Sequence, residues 1–190
     1  ADLAAVGLLV AVAVVEARGA LAVADAGAAG AGRHVVVRAD HAAARVAGAA
    51  DAAARRFEDQ WQALAKRHEG KPPLRVFWQL WHEPLMTINR EHLISEAMRL
   101  CGGVNVFADL PLLTPTVSWE AAVAADPQLV AGSGRKEDAV RDFAPWQRFA
   151  NVSAVRQQRF ASIDGDLVGR MGPRFVDGAG QLCRAIAAAR

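Results

Sequence analysis

Residues 74–189 alternate short apolar runs with amphipathic, capped segments, and this predicts an α/β lobe of three layers on a largely parallel sheet. Two observations carry that prediction. Residues 74–80 (Leu-Arg-Val-Phe-Trp-Gln-Leu) are bulky and nearly continuously apolar, as expected of a strand buried on both faces. The segments between such runs carry helix punctuation: Gly102 and Gly103 follow an apolar-periodic stretch, and Ser118 stands before Glu120 and Ala121.

Residues 1–56 are dominated by alanine, glycine and valine, a composition too apolar for a flexible linker. Residues 1–6 read as the end of a helix stopped at Gly7. Residues 8–15 have the valine content of a buried strand. Residues 20–32 form a weak helix, because Gly27, Gly30 and Gly32 are each unfavourable in a helix interior. From 39 to 69 the pattern is strongly helical. Val46, Ala50, Ala53, Phe57, Trp61 and Leu64 recur at intervals of three or four, and Gly70 and the Pro72-Pro73 pair stop the helix. At 1.5 Å per residue it extends roughly 45 Å.

The strand at 74–80 opens into a loop bearing Trp81, His82, Glu83, Pro84 and Met86. Loops at the carboxyl ends of parallel strands are where open α/β sheets place their ligands. A helix over 91–100, a strand at 104–107 and a helix capped by Ser118 follow. Next come a short strand at 129–131, a polar loop at 132–134 and a helix from 137 toward Trp146. A strand at 159–163 and a closing helix over 173–189, with Pro173 in its first turn, complete the order.

The totals exclude several classes. With 53% hydrophobic and 22% charged residues the composition is globular, and a net charge of +2 with scattered basic residues argues against nucleic acid. The apolar stretch 3–15 is shorter than the roughly 20 residues that span a bilayer. It also lacks the basic start of a secretory signal, so we expect the chain to begin inside a larger protein. All five tryptophans fall after Gln60, and such clustering belongs to a core or a binding cleft.

Enzymatic signatures are weak. Gly132-Ser133-Gly134-Arg135-Lys136 lacks the spacing of a phosphate-binding loop, and Ser133 lacks the flanks of a nucleophile elbow. Histidines 34, 41, 68, 82 and 92 show no pair at metal-ligand spacing. The remaining enzymatic option is a small α/β enzyme with its site at the Trp81 loop. A binding reading has more support: flat apolar side chains such as Trp81 and Met86 at a strand mouth suit a large planar ligand. Trp81 serves equally as a packing tryptophan, and Asp166 with Arg170 equally as a local ion pair. Glu120 is accounted for by the exposed amides of a helix first turn. Cys101 and Cys183, far apart in sequence, read from composition as two buried free thiols.

Several motifs in order carry a resemblance. They are Phe77-Trp78-Gln79, Pro84-Leu85-Met86-Thr87, Leu100-Cys101-Gly102-Gly103-Val104-Asn105-Val106-Phe107, Val117-Ser118-Trp119-Glu120 and Ala125-Asp126-Pro127-Gln128. Residues 166–174 and Gln181-Leu182-Cys183 continue them. Over about the last two thirds of the chain these resemble the cobalamin-binding periplasmic proteins of ABC importers. More broadly they resemble the substrate-binding proteins that deliver cobalamin, haem and siderophores.

The resemblance implies a Rossmann-like carboxyl lobe over 71–190, a long inter-lobe helix over 39–70, and a partial amino-terminal lobe over 1–38 with the rest of that lobe missing. It implies periplasmic capture of a corrinoid without chemistry on it, no cofactor, and delivery to a membrane permease. Haem or a ferric siderophore is the alternative ligand, and an incomplete lobe without affinity of its own is a further outcome. By resemblance, Met86 stands where the cobalamin binders place an apolar ring. Thr114 stands where some of them place tryptophan, so that wall is thinner here and Trp81 compensates. Asp166 and Arg170 match residues that meet the ligand's polar periphery, and Glu120 matches a glutamate that docks on an arginine of the permease. The implied export also favours a Cys101–Cys183 disulfide over two free thiols.

Overall fold

Near-continuous burial along Leu74–Gln79 marks the strand around which the lobe is built: every residue except Arg75 is buried. In the computed structural model, which describes residues 34–134, 142–170 and 172–190, this is β1. The helix expected from 39 is present and begins earlier, as α1 at His34–His68. The strand and helix expected within 1–32 lie outside the described residues, as does most of the helix expected from 137. The chain divides into two compact units, and Gln62–Arg170 with Arg174–Arg190 forms the one that carries the sheet. The described part of the other is α1 as far as Trp61 together with residues 172 and 173, and within α1 the buried rings of Phe57 and Trp61 stack at 5.8 Å.

After β1 come a hairpin of β2 (Trp81–His82) and β3 (Leu85–Met86), helix α2 (Leu93–Leu100) and strand β4 (Gly103–Asn105). Helix α3 (Trp119–Ala124), strand β5 (Leu129–Gly134) and a 3-10 turn at Ala144–Arg148 follow. Helix α4 (Ser153–Arg156), strand β6 (Phe160–Asp164), helix α5 (Gly165–Val168) and helix α6 (Phe175–Ala188) complete the unit. β4, β1, β5 and β6 form, in that order, a sheet whose neighbouring pairs are all parallel. The expected mostly parallel α/β architecture is therefore present.

Side chains divide between the two faces with period two. Val76 faces α6: a Cβ on Gly103 would meet the Ile186 Cδ1 at 2.9 Å and the Val76 Cγ2 at 3.2 Å. On the same face Cys101, which ends α2, is joined to Cys183 of α6 by a disulfide, with Cα atoms 4.9 Å apart. Both cysteines are fully buried. Phe77 lies on the opposite face in a cluster with Ala122, Val130, Trp146, Val152 and Val155. Its ring meets Trp146 edge-on at 5.1 Å and Phe107 at 5.7 Å. Burying each such large side chain stabilises the fold by about 1.5–3 kcal/mol.

Local chemistry sets the element ends. The Ser118 hydroxyl accepts the Ala121 amide at 3.1 Å and caps α3. Gly102, at φ 75°, turns the chain out of α2 in a conformation that side-chain-bearing residues avoid. His92, expected inside α2, is instead its cap, its Nδ1 accepting the Ile94 amide at 3.2 Å. Pro173 stands ahead of α6 and not in its first turn, since the helix starts at Phe175. The largest departure concerns 132–134. Expected as a polar loop, these residues extend β5, pairing through Gly132↔Ser162, Ser133↔Ile163 and Gly134↔Asp164. Pairing with β6 along all three residues, and with Gln79 of β1 at Gly132, outweighs the weak strand preference of glycine.

Candidate functional site

Because the four strands run parallel, their carboxyl ends share one edge of the sheet. Residues 81–87 leave β1 there, and residues 165–170 leave β6 at the same edge, as expected from the sequence. Between them lies a cleft of about 250 Å³ lined by Gln79, Leu80, Trp81, His82, Gly132, Ser133, Asp142, Phe143 and Ser162.

The hairpin positions the aromatic rim. Trp81 pairs with Met86 across β2 and β3, and the Leu80 amide donates to the Met86 carbonyl at 2.9 Å. A cis peptide joins Glu83 to Pro84 at the turn. The Trp81 indole N–H donates to the Glu83 carbonyl at 2.9 Å, which ties the ring to its own turn. The His82 ring stacks beside it at 5.4 Å and 28°. Trp81 nevertheless remains 56% exposed, so its ring is a surface platform and not a core tryptophan.

The other side of β3 is held by the chain around Thr114. Thr87 donates to the Pro115 carbonyl at 3.0 Å, Val117 donates to the Leu85 carbonyl at 2.9 Å, and Met86 bridges Thr116. Trp81, Met86 and Thr114 are thus brought to one antiparallel patch, with only Trp81 of the three lining the cleft. Leu112 and Leu113, exposed just before Thr114, widen the apolar surface there. Buried Asn105 anchors the exit of this loop, donating to the Ile88 carbonyl at 2.8 Å and to the Ser95 hydroxyl at 2.9 Å.

The floor comes from residues that local sequence reading passed over. Gln79, only 5% exposed at the end of β1, donates through Nε2 to the Asp142 carbonyl at 2.9 Å. Its Oε1 accepts the Trp146 indole N–H at 2.8 Å. A Cβ on Gly132 would strike the Gln79 carbonyl at 2.9 Å, so glycine is required for the backbone to pass. The available signal was Gln79 itself, an uncharged polar residue within an apolar strand.

Asp166 and Arg170 are exposed at the same edge without lining the cleft. The Asp166 amide, in the first turn of α5, donates to the Asp164 carboxylate at 2.9 Å. Glu120 lies away from the cleft in the first turn of α3 and is fully exposed. Its own backbone amide, the Ser118 hydroxyl and Arg148 hold its carboxyl below the usual range. The Arg148 guanidinium lies 4.9 Å over the Trp119 ring and 4.7 Å over the Phe149 ring. Among the described residues no cluster of three His, Cys, Asp or Glu side chains is placed to hold a metal ion, and no helix is long and apolar enough to cross a membrane.

No protein-family model matches the chain. A vitamin B12-binding protein of Vibrio cholerae serotype O1 is 34% identical over 132 residues, 69% of this chain and 47% of that protein. The vitamin B12-binding protein of Salmonella typhimurium is 29% identical over 137 residues, 72% of this chain and 49% of its own length. The chain thus spans about half the length of the curated relatives it matches. Among solved structures, the periplasmic vitamin B12-binding protein BtuF of Vibrio cholerae superposes with a TM-score of 0.66 at 31% identity. That match covers 76% of this chain and 55% of the other. The periplasmic haem-binding protein BhuT superposes with a TM-score of 0.65 at 25% identity, over 80% of this chain and 59% of its own. In sequence and in fold, the chain belongs to the family of periplasmic binding proteins that includes the vitamin B12-binding proteins.

Proposed function

We propose that the chain takes part in periplasmic capture of a corrinoid, cobalamin foremost, and in its delivery to the permease of an ABC importer. The observation that carries this reading is the exposed Trp81 platform at the carboxyl edge of a parallel sheet, in a chain 34% identical to a vitamin B12-binding protein. A flat indole tied down by its own N–H offers apolar area at little ordering cost, which suits the face of a macrocycle. Met86 and Thr114 extend that wall, while Asp166 and Arg170 meet the polar periphery. Binding is non-covalent, and the protein performs no reaction and uses no cofactor of its own.

In this reading residues 39–70, the greater part of helix α1, are the stiff inter-lobe element, and residues 1–38 belong to the second lobe. Glu120, charged, exposed and remote from the cleft, is the docking group toward an arginine of the permease. A cleft of about 250 Å³ is smaller than the roughly 300–1,000 Å³ typical of pockets that enclose a whole ligand. This unit therefore supplies one wall and grips part of the ligand.

Haem is the second reading, favoured by one observation: the imidazole of His82 lines the cleft, and histidine is a common axial ligand of haem iron. One experiment separates the readings. The full chain is incubated in turn with cyanocobalamin, haemin and a ferric hydroxamate siderophore, desalted, and its visible spectrum recorded. Retention of the cyanocobalamin spectrum is expected, with little retention of the others. Retention of haemin alone, with a Soret shift lost in His82→Ala, would replace the corrinoid reading.

A further inference from the structure

Residues 142–149 reach from the cleft to the surface that carries Glu120. At one end Asp142 and Phe143 line the cleft, and the Asp142 carbonyl accepts the Gln79 amide at 2.9 Å. The 3-10 turn Ala144–Arg148 follows and buries Trp146 completely, its indole N–H donating to the Gln79 amide oxygen at 2.8 Å. The Phe149 amide closes the turn by donating to the Trp146 carbonyl at 2.9 Å. At the other end Arg148 is exposed, its guanidinium 4.9 Å over the Trp119 ring and 4.7 Å over the Phe149 ring.

Trp119 joins this strut to the docking glutamate. Its ring meets Trp146 edge-on at 5.2 Å and stacks on Phe149 at 5.5 Å. Glu120 is the next residue in the chain, and Arg148 is near enough for its charge to act on the Glu120 carboxyl. Contacts therefore run without a gap from Gln79 through Trp146 and Trp119 to Arg148. Rings packed at interior density pass a displacement on and do not absorb it. A guest that presses on Phe143 or on the end of β1 moves the strut, and the displacement emerges at Arg148, where the packing gives way to solvent.

We infer that Arg148 is a positioning residue for Glu120, and that residues 142–149 tie its setting to occupancy of the cleft, so that the face offered to the permease differs between empty and loaded protein. The inference rests on the corrinoid reading and on Glu120 as the docking group, and goes beyond both by linking the two sites. Such linkage is reciprocal: if a guest in the cleft changes the setting of Arg148, a change at Arg148 alters affinity for the guest.

The test uses the full chain, isotope-labelled for NMR, with cyanocobalamin as the guest. The indole N–H signals of the tryptophans and the side-chain carboxyl signal of Glu120 are followed through a titration. Trp81 reports filling of the cleft directly, whereas Trp119 and Glu120 do not line it. All three signals are expected to move with one binding curve. In Arg148→Ala the Glu120 response should fall by about half or more. Cyanocobalamin should also bind about two- to fivefold more weakly, the range of one exposed cation–π contact. If Trp81 responds while Trp119 and Glu120 stay still, the inference is overturned and the corrinoid reading stands. The same holds if Arg148→Ala leaves either the Glu120 response or the affinity unchanged. If no signal moves with cyanocobalamin, the corrinoid reading fails and the inference falls with it.

Discussion

Gln79 and Trp146, 67 positions apart in sequence, share a buried hydrogen bond of 2.8 Å from the indole N–H to the amide oxygen. The same glutamine holds the Asp142 backbone through its other end, so one side chain joins the end of β1 to the segment that closes the cleft. Neither partner has water to turn to. Trp146 is fully buried, and Gln79 nearly so.

Replacing Gln79 by leucine should therefore destabilise the fold by about 1–3 kcal/mol, the penalty for leaving a buried donor and acceptor without partners. Urea unfolding followed by circular dichroism reads this directly. A loss below about 0.5 kcal/mol, the scale of a neutral surface change, would mean that the bridge contributes nothing net.

The Cys101–Cys183 bridge joins residues 82 positions apart, with both side chains fully buried. Native protein should resist alkylation even with mild reductant present, since the sulfurs are out of reach. Reduction in denaturant should then release two thiols, counted by mass spectrometry. In the chain-entropy description, removing a bridge around a loop this long lowers stability by roughly 4–5 kcal/mol. A Cys101→Ala/Cys183→Ala double variant with an unchanged urea midpoint would contradict that.

Trp81 offers the opposite balance. Being 56% exposed, it contributes little to the core, and Trp81→Ala should change stability by less than about 0.5 kcal/mol. Affinity for cyanocobalamin should drop roughly tenfold or more, as when an aromatic anchor is truncated. A variant that binds as tightly as the wild type would remove Trp81 from the ligand wall.

A pH dependence follows from His92. Burial pushes its imidazole below the ordinary value of 6.5, and its Nδ1 must be unprotonated to accept the Ile94 amide. The unfolded chain therefore binds this proton more readily than the folded one. The stabilisation is full above about pH 6.5 and is lost as pH falls from there through the folded value. Asparagine caps a helix without titrating. In His92→Asn the decline of the urea midpoint between pH 7 and pH 5 should be shallower than in the wild type. A residual slope is expected from His68, which burial together with Lys71 and Arg190 also pushes down. Identical slopes in the two proteins would show that His92 carries no such linkage.

Much of this architecture is legible along the chain because its causes are local. The run Leu74–Gln79 is apolar enough to declare a buried strand, and Ser118 caps α3 through a contact only three residues away. The periodicity around Phe57 and Trp61 declares a long helix, and order along the chain puts residues 81–87 and 166–170 after two of the parallel strands, β1 and β6. The disulfide was open between two readings until the approach of α2 and α6 on one face brought the Cα atoms to 4.9 Å. Gly132-Ser133-Gly134 has the composition of a loop and becomes strand only because β6 pairs with all three residues and β1 with Gly132. The cleft itself belongs to the tertiary structure. Gln79, Ser133, Asp142 and Ser162 come from separate segments, each unremarkable by itself, and parallel pairing with long crossovers is what brings their side chains to one edge.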